Sequence, residues 1–205
     1  MGPNGLYICQ VINKGNNTRN FIIEKAAPLF NRKGIAGTSI SDIMQATKLA
    51  KGGVYRHFDS KEEICLDAFN FLCANLSEGI NNAVKDKLTA VDKLFAMIDY
   101  YKNDLTTMEG GCPLLNFGTE ADDTNLLLKQ RVGERISALQ NRISNLIKLG
   151  IEEMQFQKDI DPEKFASHMF SVLEGGMLMT KVFGTLDQMQ IVTDKLKTEI
   201  KSFAR

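Results

Sequence analysis

A chain of 205 residues, 43% apolar and 24% charged, is long enough for one or two compact domains and is neither disordered nor of low complexity. Its formal net charge is zero, and no apolar run approaches a membrane span, which excludes a membrane-spanning helix. The N-terminus lacks the basic start and long apolar stretch of a secretory signal. Cys9, Cys65, Cys73 and Cys112 form no C-x-x-C pair, and no histidine is spaced for zinc. These features lead us to expect a cytoplasmic protein with reduced thiols and no metal or cofactor.

The zero net charge conceals a segregation. Between Thr18 and Lys61, eight Lys/Arg stand against three Asp/Glu, a net +5; from Glu62 onward, sixteen stand against twenty-two, a net −6. A basic N-terminal module on an acidic remainder is the footprint of a protein that touches nucleic acid through its first module.

In chain order, residues 1–17 are rich in Gly and Asn around the short apolar run Leu6 to Ile12, and read as a flexible arm. Thr18 is the expected cap of a first helix with Phe21, Ile22, Ala26, Leu29 and Phe30 on one face; Gly34 ends it. Pro28 falls inside that helix and removes its bond to the Glu24 carbonyl, so a mild kink is expected. A second helix starts at Thr38 or Ser39 and puts Ile40, Ile43 and Met44 on one stripe. Thr47-Lys48-Leu49 interrupts the pattern, and Leu49, Val54 and Phe58 face inward from a third. The outer surface of that third helix is basic, small and aromatic: Lys51, Gly52, Gly53, Tyr55, Arg56 and His57. Small residues let a backbone approach a DNA groove, and donors and aromatic rings meet phosphates and base edges. Thr38 and Ser39, at a helix N-terminus, offer hydroxyls and amides to a phosphate.

The ordered set TRNFIIEKAAPLFNRKG, TSISDIMQAT, KGGVYRHF and SKEEI resembles the DNA-binding domain of TetR-family transcriptional regulators, over Thr18 to about Ile64. The resemblance implies a three-helix DNA-binding domain over 18–64, with its helix-turn-helix at about 39–58. By the same resemblance, Lys51, Tyr55, His57 and Lys61 match positions that grip the DNA backbone, and Lys48, Ala50, Gly52, Gly53 and Arg56 sit where base edges are read. The sequence departs from the family pattern twice. Lys48 stands at a turn position usually held by Gly, and Ala50 stands where Ser or Thr usually caps the recognition helix, a loss of about 1 kcal/mol.

Beyond this module the chain reads as all-α. Ser60, with Glu63 three residues on, forms a capping box for a fourth helix running to about Val84 through Ile64, Ala68, Phe71, Leu72, Leu76 and Ile80. A fifth follows Thr89 to about Leu105, with Val91, Leu94, Phe95, Ile98 and Tyr101 inside. Gly110-Gly111 break the chain, and Cys112-Pro113 restart a short helix ending near Glu120 or Ala121. The longest helix is expected from Asp123 or Thr124 to about Phe156, burying Leu127, Val132, Ile136, Leu139, Ile143, Leu146, Ile147 and Ile151. Asp161-Pro162-Glu163 is a well-formed helix start, and that helix carries Phe165, Met169, Phe170, Val172, Leu173, Met177 and Leu178 as far as Gly184. Asp187 opens the last, through Ile191, Leu196 and Ile200.

Catalysis is not expected. His57 and His168 are the only histidines, and no nucleophile elbow, phosphate loop or metal-spaced cluster occurs. The acids Glu120, Asp122 and Asp123 sit at a helix boundary, where they cap or are solvated. The resemblance implies instead that residues 65–205 form an effector-binding and dimerisation domain. Candidate lining residues of its cavity are Phe95, Tyr101, Cys112, Asn116, Phe117, Arg131, His168, Glu174 and Met177, among methionines suited to an adaptable apolar site. The last two helices are the expected homodimer face, with Gly175-Gly176 permitting close helix approach. The sequence therefore reads as a homodimeric regulator, a repressor rather than an activator. It would bind a palindromic double-stranded DNA operator and release it to a small, largely apolar effector. The alternative is a constitutive or architectural regulator whose body only dimerises; a ligand-carrying protein with a vestigial head fits the +5 charge poorly.

Overall fold

The computed structural model describes residues 14–121 and 125–205. Among them run nine α-helices: α1 Lys14–Lys33, α2 Ile40–Thr47, α3 Lys51–Tyr55, α4 Lys61–Val84, α5 Ala90–Asn103, α6 Pro113–Ala121, α7 Leu126–Glu152, α8 Pro162–Phe183 and α9 Asp187–Phe203. A short 3₁₀ turn, Leu105–Thr107, follows α5. The first helix begins at Lys14, four residues ahead of the expected Thr18 cap. The rest of the expected arm, with Cys9, lies outside the described residues, as do Asp122, Asp123 and Thr124; α7 starts later than expected, with Asn125 accepting from the Leu128 amide.

Local chemistry sets the other starts. Thr89 accepts from the Asp92 amide, and Asp161 from the Lys164 amide with Pro162 in the first turn, so each satisfies an N–H that the helix leaves unpaired. At α4 the expected capping box is displaced. Ser60 accepts from the Glu63 amide, but the Glu63 carboxylate turns back to the amide of Asp59, not of Ser60. The α8 helix ends at Gly184 in the left-handed conformation. The α7 helix stops at Glu152, short of Phe156, because the Gly150 carbonyl takes the amides of Gln155 and Phe156 and the chain turns through Met154 at φ +59°.

Two cores join through α4. In the head, Ile22, Ala26, Phe30, Ile43, Val54 and Phe58 close around Ile64 and Ala68. In the body, α5, α7, α8 and α9 bury Leu94, Ile98, Ile143, Ile147, Leu173, Met177, Leu196 and Ile200. Each of these side chains larger than alanine contributes roughly 1.5–3 kcal/mol of burial. Two residues assigned to apolar faces, Phe21 and Leu127, are 38% and 53% exposed, and Ile191 of the last helix is 61% exposed. The buried leucine of that run is Leu128. Leu178 is also exposed. Among the described residues, no helix is long and apolar enough to cross a membrane.

Candidate nucleic-acid interface and body groove

The second helix is held at its start by a reciprocal capping box. The Ser39 hydroxyl accepts from the Asp42 amide at 3.1 Å, and the Asp42 carboxylate accepts from the Ser39 amide at 2.8 Å. Lys33 bonds the same carboxylate at 2.6 Å; together with Ser39 it holds Asp42 well below the usual carboxylate range. At the other end, the Thr47 hydroxyl donates to the Ile43 carbonyl at 2.7 Å and accepts from the Leu49 amide at 3.3 Å. Lys48 is left-handed, at φ +60° and ψ +21°. Here the departure from glycine carries a real conformational cost, since a side chain crowds the backbone in that region. Ala50 caps α3 with no side-chain bond. Val54 and Phe58 anchor the segment inward, and the Arg19 guanidinium lies 4.3 Å over the Phe58 ring while pairing with Glu63 and Asp67.

Apart from Lys25, which is exposed and lies 5.8 Å over the Phe21 ring, the cations of the head fall into two groups. Arg19, Arg32 and Lys33 are paired with Glu63 and Asp67, with Glu109 and with Asp42. Lys61, expected to grip DNA, instead donates to the carbonyls of Ile35 and Thr38 at 2.8 and 3.1 Å, tying α4 to the α1–α2 turn. Thr38 is also displaced from the expected surface. It is fully buried, and its hydroxyl donates to the Gly34 carbonyl at 2.7 Å. Ser39 is exposed, but its hydroxyl serves the capping box. Lys48, Lys51 and Arg56 are different: all three are exposed, and no acid among the described residues pairs with them. They surround Ala50, Gly52 and Tyr55, also exposed, with Gly53 and His57 half-buried beside them. The Lys51 ammonium lies 5.8 Å over the Tyr55 ring. A Cβ built on Gly52 would meet nothing within 4 Å, so the backbone there is open to an approaching surface.

In the body, α6, α7 and α8 flank an open groove of about 440 Å³ lined by Leu114, Leu115, Val132, Ile136, Phe170 and Glu174, with Lys129 at its wall. Of the nine expected cavity residues, the structure gathers Tyr101, Cys112 and Glu174. Glu174 is 8% exposed, and its Oε1 accepts from Cys112 Sγ at 3.0 Å and Tyr101 Oη at 3.4 Å. Its Oε2 is buried with no partner. Burial pushes the Glu174 carboxyl up to about 7 and the Cys112 thiol and Tyr101 phenol well above their usual ranges. Met177 is buried one turn along α8, and Phe117 packs on Phe69 with ring centroids 5.1 Å apart. The other four are elsewhere. Phe95 lies under Lys197 and Lys201 on the outer side of α5. Arg131 is exposed and pairs with Glu134 at 3.0 Å; His168 is exposed, 3.3 Å from Glu199. These two point away because their neighbours Val132 and Met169 carry the buried phase of their helices. Asn116 belongs to the joint with the head.

Residues 22–68 match the family model for bacterial regulatory proteins of the tetR family, and residues 90–196, more than half the chain, match the tetracyclin repressor-like C-terminal domain. The chain belongs to the TetR family of transcriptional regulators. A TetR-family regulator from Cytophaga hutchinsonii is 34% identical, superimposes with a TM-score of 0.90, and is matched over 94% of this chain and 98% of its own. A TetR regulator from Chloroflexus aurantiacus J-10-FL gives the same TM-score of 0.90, identity of 34% and coverage of 94% and 98%. The HTH-type transcriptional repressor DhaR of Mycobacterium sp. strain GP1 is 23% identical over 165 residues, 80% of this chain and 82% of that protein. The family is one of DNA-binding regulators and not of enzymes, and its relatives include repressors.

In this TetR-family chain the helix-turn-helix head is latched to the body through α6. Asn31, at the end of α1, donates to the carbonyls of Glu109 and Gly111, both at 2.9 Å. Asn116 donates to the Asn31 and Gly110 carbonyls at 2.9 and 2.7 Å, and Lys181 of α8 donates to Asn116 Oδ1 at 3.0 Å. Gly110 and Gly111, at φ +87° and +76°, turn these carbonyls toward the head in a conformation that side chains disfavour. At the far end of α6, the Glu120 carboxylate accepts from the amides of Ile35 and Ala36 at 2.6 and 2.7 Å. Glu120, expected to be a cap or solvated, thus holds the turn that leads into α2.

Proposed function

We propose that this regulator is a cytoplasmic repressor that binds a palindromic operator as a homodimer, reads it with α3, and releases it when a small, largely apolar molecule enters the body. The observation that carries the reading is the group of unpaired cations, Lys48, Lys51 and Arg56, around the open backbone at Gly52 and the exposed Tyr55 ring. Elsewhere in the head, Arg19, Arg32, Lys33 and Lys61 are spent on internal bonds and Lys25 lies over the Phe21 ring; here three cations cluster and are left for phosphates and base edges. We assign the DNA-binding unit to α1–α3 with the start of α4, and the effector and dimer functions to the helices that follow. Naming of the Mycobacterium relative as a repressor supports the sign of regulation.

Two further features support the rest. Leu178, Met179, Val182 and Phe183 on α8, with Leu186 and Ile191, form an exposed apolar strip on the last two helices, the surface a second copy would cover. The groove adjoins α6, and α6 carries both Asn116 and Glu120. Occupancy that moves α6 therefore moves the α1–α2 turn, and a ligand that binds the moved state better shifts the head. This groove favours the ligand-responsive reading over a body that only dimerises.

Fluorescence anisotropy on a labelled duplex across a salt series tests the interface. We expect Lys51→Ala to weaken binding and reduce the slope of log K against log salt by about 1, the signature of one lost phosphate contact. Tyr55→Ala should weaken binding with little change in slope. Wild-type affinity in both variants, with the dimer intact, would show that α3 is not the reader.

A further inference from the structure

Glu174 is the least explained polar group in the body. It is 92% buried on α8, lines the apolar groove beside Leu114, Val132 and Phe170, and offers an oxygen that nothing satisfies. No cation neutralises it. Lys129, across the groove on α7, makes no bond to it, and Lys181, two turns along α8, is occupied by the Gly110 carbonyl and Asn116. The other polar groups against it are Tyr101 from α5 and Cys112 ahead of α6; both donate to Oε1 and, with ionisation suppressed by burial, neither carries charge near neutral pH. The arrangement is a buried acid with two fixed donors on one side, an empty acceptor on the other, and an apolar wall.

We propose that this groove takes an apolar amine, whose ammonium hydrogen-bonds the free oxygen of Glu174 while its hydrocarbon part lies along Leu114, Leu115, Val132, Ile136 and Phe170. An ammonium supplies both the missing donor and the missing counter-charge. A hydroxyl supplies only the first, and a carboxylate supplies neither and is repelled. The groove's volume of about 440 Å³ lies within the size range of small-molecule sites. The inference rests on the proposed effector role of the body and narrows it to a ligand class. It also fixes a pH dependence. Ammonium binding requires the carboxylate, and burial holds Glu174 protonated up to about 7. Below that pH, binding must displace a proton, so affinity falls by about tenfold per unit; above it, affinity levels off.

Calorimetric titration of the full-length protein with octylamine, octanol and octanoate tests this. Octylamine should bind at least about tenfold more tightly than either other probe at pH 8, and its affinity should drop between pH 7 and pH 5. In Glu174→Gln, which keeps the side chain's size, that preference and the pH dependence should both vanish, with thermal unfolding reporting that the variant is folded. Octanoate binding as tightly as octylamine, or a wild-type affinity flat from pH 5 to 8, would overturn the proposal without recourse to a variant. Failure of all three probes in a protein that selects an operator would refute the amine site and leave the regulator reading standing. Amine binding in a protein that selects no operator would do the reverse.

Discussion

Lys48 and Ala50 show how much a single residue can say in advance of any structure. Both were legible as departures from the family pattern; in the structure Lys48 lies in the left-handed region and α3 has no side-chain cap. Ala50→Ser should therefore stabilise the protein by about 1 kcal/mol, read as a rise of roughly 2–4 °C in the unfolding midpoint. An unchanged or lower midpoint would mean that the α3 start is held by tertiary packing alone. Other residues were not legible. Thr38 and Lys61 are of a type and at a position that suit phosphate binding, but their donors are consumed by Gly34, Ile35 and Thr38 carbonyls in a turn whose three-dimensional closure sequence spacing does not reveal. Glu120 and Asn116 are a stronger case: their partners lie about 85 positions away, across the head–body joint.

At the scale of the helix, periodicity located α2, α4, α5 and α8 closely, because each has a capping residue and a consistent apolar stripe. It failed where a run of apolar residues hides the phase. Leu126-Leu127-Leu128 offers three candidates, and only Leu128 is in register with the buried Val132. Phe21 is an apolar residue one step out of phase, and an inward assignment by residue type alone misplaces it. The end of α7 was also missed, since it depends on a close contact that no local signal announces. Gly150 is buried where an added Cβ would fall on the Phe156 ring and 2.9 Å from the Ala90 side chain. Alanine at 150 would gain about 1 kcal/mol in helix propensity and lose about 3 kcal/mol, the upper end of overpacking costs since the clash is with a buried ring, for a net cost of about 2 kcal/mol. A urea titration of Gly150→Ala checks this; a midpoint at or above wild type would contradict the tight packing between α7, α5 and the turn at Phe156.

For the molecule as a whole, the split into a basic head and an acidic body was visible in the charge count, and the order of helices followed from apolar periodicity and the family pattern. The joint between head and body and the groove beside it were not, because both arise where α6 meets distant elements. The proposed dimer surface stands between these cases: the last two helices were expected to form it, and their exposed apolar strip is the physical reason to propose it there. Phe183→Glu should convert the protein to a monomer in light scattering, and operator affinity should fall sharply, since one head reads only a half-site. A dimer that persists in Phe183→Glu and Val182→Glu alike would move the interface elsewhere.

The operator-binding proposal is tested most directly by selection of bound DNA from a random-sequence pool, at about 150 mM salt so that non-specific phosphate binding does not mask the result. It predicts a two-fold symmetric consensus whose half-sites are separated by about one helical turn or a multiple of it, and whose enrichment is lost in Lys51→Ala. Absence of any enriched sequence, or an asymmetric one retained by Lys51→Ala, would contradict it.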